Sequence, residues 1–342
     1  MHIPDGYLGP QTTIPAFAVM APVWGTAFRR TKAVLQKAGV PTLALCSSFS
    51  FLVMMFNVPV AGGSSAHAVG AVLIAILLGP WSAVISVSTA LLIQALVFGD
   101  GGVLAFGVNC FNMAFVMPFS GFLVFKLLRG KSETFGTRGL AAAFAGSYFG
   151  LNAAALCAAL EFGIQPLLFR GANGAPLYCP YPISVSVPSM MFAHGLVAGP
   201  IEGLITVGAI AYLARYAPHF FQQRQSGPNR TEGLLRGYRS LLLPVVVLAV
   251  LTPLGLLAAG TAWGEWSAEE IKEQLGFIPQ GFAGISDWWH ALLPDYSLPA
   301  LGDGRSGSAA GYLLSAGVGV ILIAALILLT SRITAKGTGE PK

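Results

Sequence analysis

Nine times along its 342 residues the chain strings together an apolar run near the length that crosses a hydrocarbon core as a helix, about 20 residues. The runs occupy residues 12–28, 41–60, 66–79, 81–99, 103–128, 139–162, 187–216, 241–262 and 309–331. In lipid every backbone N–H and C=O must be satisfied within the spanning structure, which leaves helices or closed barrels, and runs this long without alternation select helices. With 55% hydrophobic and only 10% charged residues, and a mean hydropathy of +0.71, the chain needs a bilayer to solvate it. The expected fold class is therefore an all-α, polytopic transmembrane helix bundle. The third run is short for a crossing. The Gly79-Pro80 turn after it predicts either a tight join or a helix that stops inside the protein, which is tolerated only away from lipid.

Lys and Arg set the orientation, because they are retained on the cytoplasmic side. An external amino terminus places sixteen of the 19 Lys and Arg inside, among them Arg29, Arg30, Lys126, Arg129, Arg138 and Arg215, and leaves Arg170, Lys272 and Arg305 outside. The net charge of +5 is then a matter of topology and calls for no nucleic acid. The opening MHIPDGYLGP holds a His, an Asp and two prolines where a secretory signal would place basic residues before a cleavage site, so it reads as retained. The basic stretch APHFFQQRQSGPNRTEGLLRGYR divides the chain into residues 1–225, with seven helices, and residues 226–342, with two. Between those last two helices lies an external segment with seven acidic and two basic residues. It is expected to cover the loading face, to attract cations, or to assist transport.

A histidine at position two has a specific chemical use. A free terminal amine, the peptide nitrogen of His2 and its Nδ1 close on one cation through a five-membered and a six-membered ring, filling three corners of a square plane. Such a plane of nitrogens suits Ni2+ or Cu2+, admits Co2+ with more distortion, and is unlike the tetrahedron Zn2+ prefers. A fourth nitrogen is needed. Of the five histidines, His219 falls in the basic linker and His290 in the second external segment, which leaves His67 and His194. His67 follows AGGSSA at the outer start of the third run, on the same side as the terminus. Pro4 and Gly6 would let residues 1–9 fold inward as a plug, packed by Tyr7. A disordered chain end and an interfacial His67 fit the spacing equally well.

Three separated motifs bear on that choice. MHIPDGYLGP, GGSSAHAVGAVLIAILLGPW and MMFAHGLVAGPIEGLIT, in this order, closely resemble the NikM/CbiM family over about residues 1–220. Its members are the substrate-capturing membrane subunits of energy-coupling-factor transporters for nickel and cobalt. The resemblance implies a metal held by the amine of Met1, the amide and imidazole of His2, and His67. The transported ion would be Ni2+, with Co2+ as the alternative, and the PDGYL start is similar to the nickel branch. It further implies a prokaryotic cell (inner) membrane and partners: a transmembrane coupling subunit and cytoplasmic ATPase subunits that hydrolyse ATP. Residues 226–342 resemble the NikN component, implying a fused NikMN-type chain. The chain is expected to be no enzyme itself. Gly130-Lys131-Ser132 is a fragment of a phosphate loop whose first glycine is replaced by Phe125.

Ligating imidazoles usually have hydrogen-bonded supports, and Asp5, Asn57, Ser64 and Ser65 are candidates, as are Asn109 and Asn112 for the inserted terminus. His194 and Glu202, eight residues apart in one apolar run, lie about 12 Å apart along a helix axis, too far to share a metal. A structural or gating role is expected for them. Of the four cysteines, Cys46, Cys110 and Cys157 fall in apolar runs, which leaves Cys179, in an external loop, as the one open to reaction. Two other classes compete. AHGLVAG with an upstream serine in GGSSA is similar to a rhomboid-like intramembrane serine protease, and Glu202 with His194 could form the relay of a proton-coupled secondary metal carrier.

Overall fold

The computed structural model of the chain describes residues 1–61, 64–130, 135–217, 231–258, 261–302 and 304–336; His219, Gly62, Gly63, Lys131, Ser132 and the boundary at residue 225 lie outside them. The chain folds as an all-α membrane bundle. Helices α1 (Pro10–Ala38) and α2 (Val40–Met54) are followed by a hairpin of β1 (Val58–Val60) and β2 (Ser64–Ala66), then α3 (Ala71–Leu78) and α4 (Pro80–Ile93). Next come α5 (Phe106–Asn109) and α6 (Met117–Arg129), α7 (Thr137–Leu168), α8 (Ile183–Ala193) and α9 (Gly199–Tyr216). The second part holds α10 (Thr231–Leu251), two short helices, α11 (Ala268–Leu275) and α12 (Gln280–Ala283), and α13 (Arg305–Lys336).

Three of the long helices contain a π-helical turn, Gln94–Phe98 after α4, Cys110–Val116 between α5 and α6, and His194–Ala198 between α8 and α9. Counting through those turns, six helices among the described residues are long and apolar enough to cross a bilayer. Helix α1 is 29 residues long and α2 is 15. The third apolar run differs from a spanning helix: only eight residues, Ala71–Leu78, are helical, about 12 Å of rise. That helix is preceded by the hairpin and by the non-helical residues 67–70.

That irregular stretch survives because its backbone is satisfied within the protein. Glu202 of α9, fully buried, accepts from the Val69 amide at 2.8 Å and from the Gly70 amide at 3.0 Å with both carboxylate oxygens. A carboxylate here also complements the positive end of α3. Gly70 takes φ +75°, a left-handed conformation that glycine adopts without strain. Ser50 Oγ donates to the Val69 carbonyl at 2.8 Å from the other side.

Helix α7 is the packing centre of the first part, against α6, α8 and α9. Its Gly146 faces the Gly121 carbonyl and its Gly150 the Met117 carbonyl, so closely that a Cβ on either would sit at 2.6 and 2.7 Å from those oxygens. Small residues permit such contact, which is what draws helices together in lipid. Helices α10 and α13 of the second part flank α2. The chain between them, residues 261–302, folds over the end of the first part that holds the amino terminus. Helix α11 starts in a capping box, with Ser267 Oγ accepting from the Glu270 amide and the Glu270 carboxylate accepting from the Ser267 amide. Cys179, expected to be reactive, is completely buried, and burial pushes its thiol up to about 12.

Candidate metal centre

The amino-terminal segment is not a chain end in solvent. Met1, His2 and Ile3 are buried at 2%, 2% and 0% exposure, and Tyr7 and Leu8 are buried with them. Each turn of the segment is pinned. The Ile3 amide donates to Asn109 Oδ1 at 2.8 Å, while Asn109 Nδ2 donates to the Ile3 carbonyl at 3.0 Å, a reciprocal pair that reads the backbone as a strand partner would. The Ile3 carbonyl also accepts from the Gly102 amide at 2.9 Å. Asp5 takes the amides of Val103, Leu104 and Ala105 at 2.9, 2.9 and 3.0 Å, and Trp288 Nε1 at 2.9 Å. Gly6, at φ +93°, makes the turn against Phe282. Tyr7 packs edge-on to Phe162 and Phe282 and donates its hydroxyl to the Trp266 carbonyl. The Gly9 amide donates to Gln165 Oε1 at 3.1 Å.

This plug carries His2 to His67. The two rings stack with centroids 4.8 Å apart and planes 25° from parallel. His67 Nδ1 lies 3.0 Å from the Ala68 carbonyl, which fixes the proton on that nitrogen and leaves Nε2 as a lone pair. His67 Nε2 and His2 Nε2 are both buried without a hydrogen-bond partner. A buried imidazole nitrogen without a partner costs free energy unless something else occupies it. His2 Nδ1 lies 2.8 Å from Asp100 Oδ1, and the Met1 amine donates to Glu265 Oε1 at 3.0 Å. Burial disfavours the charged carboxylate of Asp100, yet the His2 ring beside it holds its carboxyl well below the usual range. Its other oxygen accepts from Tyr296 Oη at 2.5 Å and Gln94 Nε2 at 3.0 Å.

Other expected supports go elsewhere. Asp5 and Asn109 hold the terminus, and neither has a hydrogen bond to an imidazole among the described residues. Asn112 Nδ2 donates to Glu161 Oε2 at 2.6 Å, joining two helices. Ser64 Oγ accepts from the Trp263 amide at 2.9 Å, tying the hairpin to the second part. Ser65 is buried in the hairpin opposite Pro59, and Asn57 sits in the turn after α2 with no side-chain hydrogen bond to the site among the described residues. His194, 2% exposed, opens its π turn with Nδ1 2.8 Å from the Met190 carbonyl and Nε2 unpartnered. No Ser–His hydrogen bond forms among the described residues, so the protease pairing is not assembled. Residues that sequence reasoning missed are Asp100, Gln94, Glu265 and Tyr296. The one available signal was an acidic residue in the glycine-rich turn Gly99-Asp100-Gly101-Gly102 at the end of a buried helix.

Residues 2–220 match the family described as CbiM, the cobalt uptake substrate-specific transmembrane region. The chain belongs to the CbiM family. Residues 239–336 match a second family, the PDGLE domain, so this CbiM-family chain is of the fused kind. It is 46% identical, over 98% of both chains, to the fused nickel transport protein NikMN of Rhodobacter capsulatus. It is 43% identical, over 96% of both chains, to the probable fused nickel transport protein LarMN of Lactiplantibacillus plantarum. The crystal structure of a transition metal transporter is 48% identical, is matched over 66% of this chain and 100% of its own length, and superposes with a TM-score of 0.60. Relatives of the CbiM family are named as metal transport proteins, and in this chain the buried terminus stacks the His2 ring on His67.

Proposed function

We propose that this chain captures Ni2+ outside the cell for uptake, holding it in a square plane of four nitrogens: the Met1 amine, the His2 amide, His2 Nδ1 and His67 Nε2. The observation that carries the reading is the insertion of residues 1–3 beside His67, with a ring nitrogen of His67 buried and unpartnered because the other is committed to Ala68. Ni2+ exceeds Co2+ in affinity for nitrogen and gains more from a square plane, and relatives named for nickel align over nearly the whole chain. Residues 1–225 form the metal-binding unit and residues 226–342 the second unit that folds over it. The amino terminus faces outward, in keeping with Arg129 and Arg215 in the last turns of α6 and α9 and with the excess of Lys and Arg assigned to the other side. Energy comes from ATP hydrolysed by separate ATPase subunits acting through a membrane coupling subunit, as suits a family described as substrate-specific.

Metal analysis of purified protein tests the site. Wild type is expected to hold close to one nickel per chain with a square-planar visible band, and His67→Ala to lose both. An intact mass showing Met1 removed or acetylated would contradict the amine as ligand. Binding is also expected to release protons, since the amine must be neutral and the amide deprotonated outright, so affinity rises with pH between about 6 and 8. A flat profile over that interval, by isothermal titration calorimetry in buffers of different ionisation enthalpy, would rule out the amidate.

A further inference from the structure

The Met1 amine, one of the four nitrogens proposed for the metal, donates to a carboxylate of the second part, Glu265 Oε1 at 3.0 Å. The short stretch that carries this carboxylate is tied, on both sides of Glu265, to the segments that carry the ligands. Two residues before it, the Trp263 amide donates to Ser64 Oγ at 2.9 Å, in the hairpin that leads to His67. One residue after it, the Trp266 carbonyl accepts from Tyr7 Oη at 3.0 Å, in the plug that begins with His2. Packing fixes the stretch further. Trp263 stands edge-on to Phe162, the ring that Tyr7 also meets edge-on, and edge-on to Trp266. Gly264 takes φ +84° and lies so near Phe162 that a Cβ would sit 3.0 Å from the ring. Ser267 then opens the capping box of α11, which locks the chain just beyond.

Resting on the chelate reading above, we propose that Glu265 is a positioning residue of the metal centre, supplied by the second part: its carboxylate accepts an N–H of the Met1 amine before and after loading and so aims the lone pair at the ion. Of the four nitrogens the amine needs this most. The His2 amide belongs to a planar peptide whose next residue is held by Asn109, and the His67 ring is held through Nδ1 by the Ala68 carbonyl. The amine, by contrast, turns freely about its own Cα–N bond. A coordinated amine keeps two N–H groups and directs its one lone pair to the fourth corner of a tetrahedron, so holding one N–H in a fixed direction fixes the lone pair. A carboxylate, an acceptor only, suits that task in both states. Its charge favours the ammonium of the empty site and the cation of the loaded one alike, so reach and direction decide its effect on binding. Outer partners of this kind govern metal affinity by orienting ligands they never replace.

Nickel affinity of the full chain in detergent, by competition against a chromophoric chelator and read together with the visible band, tests this. Glu265→Gln keeps an acceptor at the same reach without the charge, and is expected to bind within about threefold of wild type with an unchanged band. Glu265→Asp keeps the charge but withdraws it by one methylene, and is expected to bind about tenfold more weakly. Glu265→Ala is expected to lose about 10–100-fold, with the band shifted. Tyr7→Phe removes the hydroxyl that holds Trp266 and keeps the ring; it is expected to cost about threefold in wild type and nothing in the Glu265→Ala background, because the tether acts through Glu265. Tighter binding by Glu265→Asp than by Glu265→Gln, or equal costs of Tyr7→Phe in the two backgrounds, would overturn the positioning role while leaving the chelate intact. Glu265→Ala within about threefold of wild type would do the same. A wild-type chain without nickel, or His67→Ala that keeps it, would overturn the chelate and the positioning role with it. Circular dichroism identifies a variant that fails to fold, and should Glu265→Ala be one, the comparison of Glu265→Gln with Glu265→Asp decides.

Discussion

Inserting a single alanine between Met1 and His2 is expected to abolish nickel retention while leaving the protein folded. Every ligand type survives the insertion. What is lost is the ring geometry, because the amine no longer closes a five-membered ring with the His2 amide and is displaced by one residue. From Ile3 onward the plug is fixed by Asn109, Gly102 and Asp5, so the added residue cannot be absorbed by sliding the segment forward. It pushes Met1 out of a buried position, 2% exposed, and away from Glu265. Loss of an outer-shell partner alone commonly costs 10–100-fold in metal affinity, so loss of a chelate ring is expected to cost about 100-fold or more. Nickel content and the visible band of the purified variant measure it. Nickel retained at wild-type stoichiometry would show that the amine is no ligand and would shift attention to His194.

Replacing Glu202 by alanine is expected to destabilise the protein by about 2–6 kcal/mol, since it leaves the Val69 and Gly70 amides buried without acceptors at about 1–3 kcal/mol each. The carboxylate makes three hydrogen bonds to those two amides. Because His67 lies only two residues before Val69, the same change is expected to loosen its ring and weaken nickel binding. Glu202→Gln keeps an acceptor and is expected to fall between the two. Thermal unfolding in detergent measures the effect, and an unfolding temperature for Glu202→Ala equal to wild type would show that the irregular stretch is held by other contacts.

The helices were legible because lipid imposes a length rule on apolar runs, and the structure places a helix in each of the nine. The third was readable as a defect, being short and closed by Gly79-Pro80, but not as what it is. A carboxylate accepting from backbone amides leaves no trace in the sequence of the segment it supports, since every residue has an amide. For that reason Glu202 could be singled out as a buried ionisable group while its partners could not. The meeting of His2 with His67 followed from chelate geometry and a shared side of the membrane. Asp100, Glu265 and Tyr296 did not follow, because an acidic residue in an external loop is ordinarily a solvated one. Their importance comes from tertiary contacts spanning 264 residues for Glu265 and 196 for Tyr296. Asp5 was expected near the imidazoles and instead closes the loop before α5, a role its position in a turn signals no more strongly than the first.

The distance along the chain between the plug and its partners sets a timetable for synthesis. Met1 is separated from Glu265 by 264 residues and Asp5 from Trp288 by 283. Residues 1–9 thus leave the ribosome long before the groups that hold them exist, and contacts of such separation form late. During that interval the Met1 amine and the Asp5 carboxylate lack Glu265 and Trp288 as partners. A chain truncated before residue 265 would keep its terminal amine without that carboxylate partner.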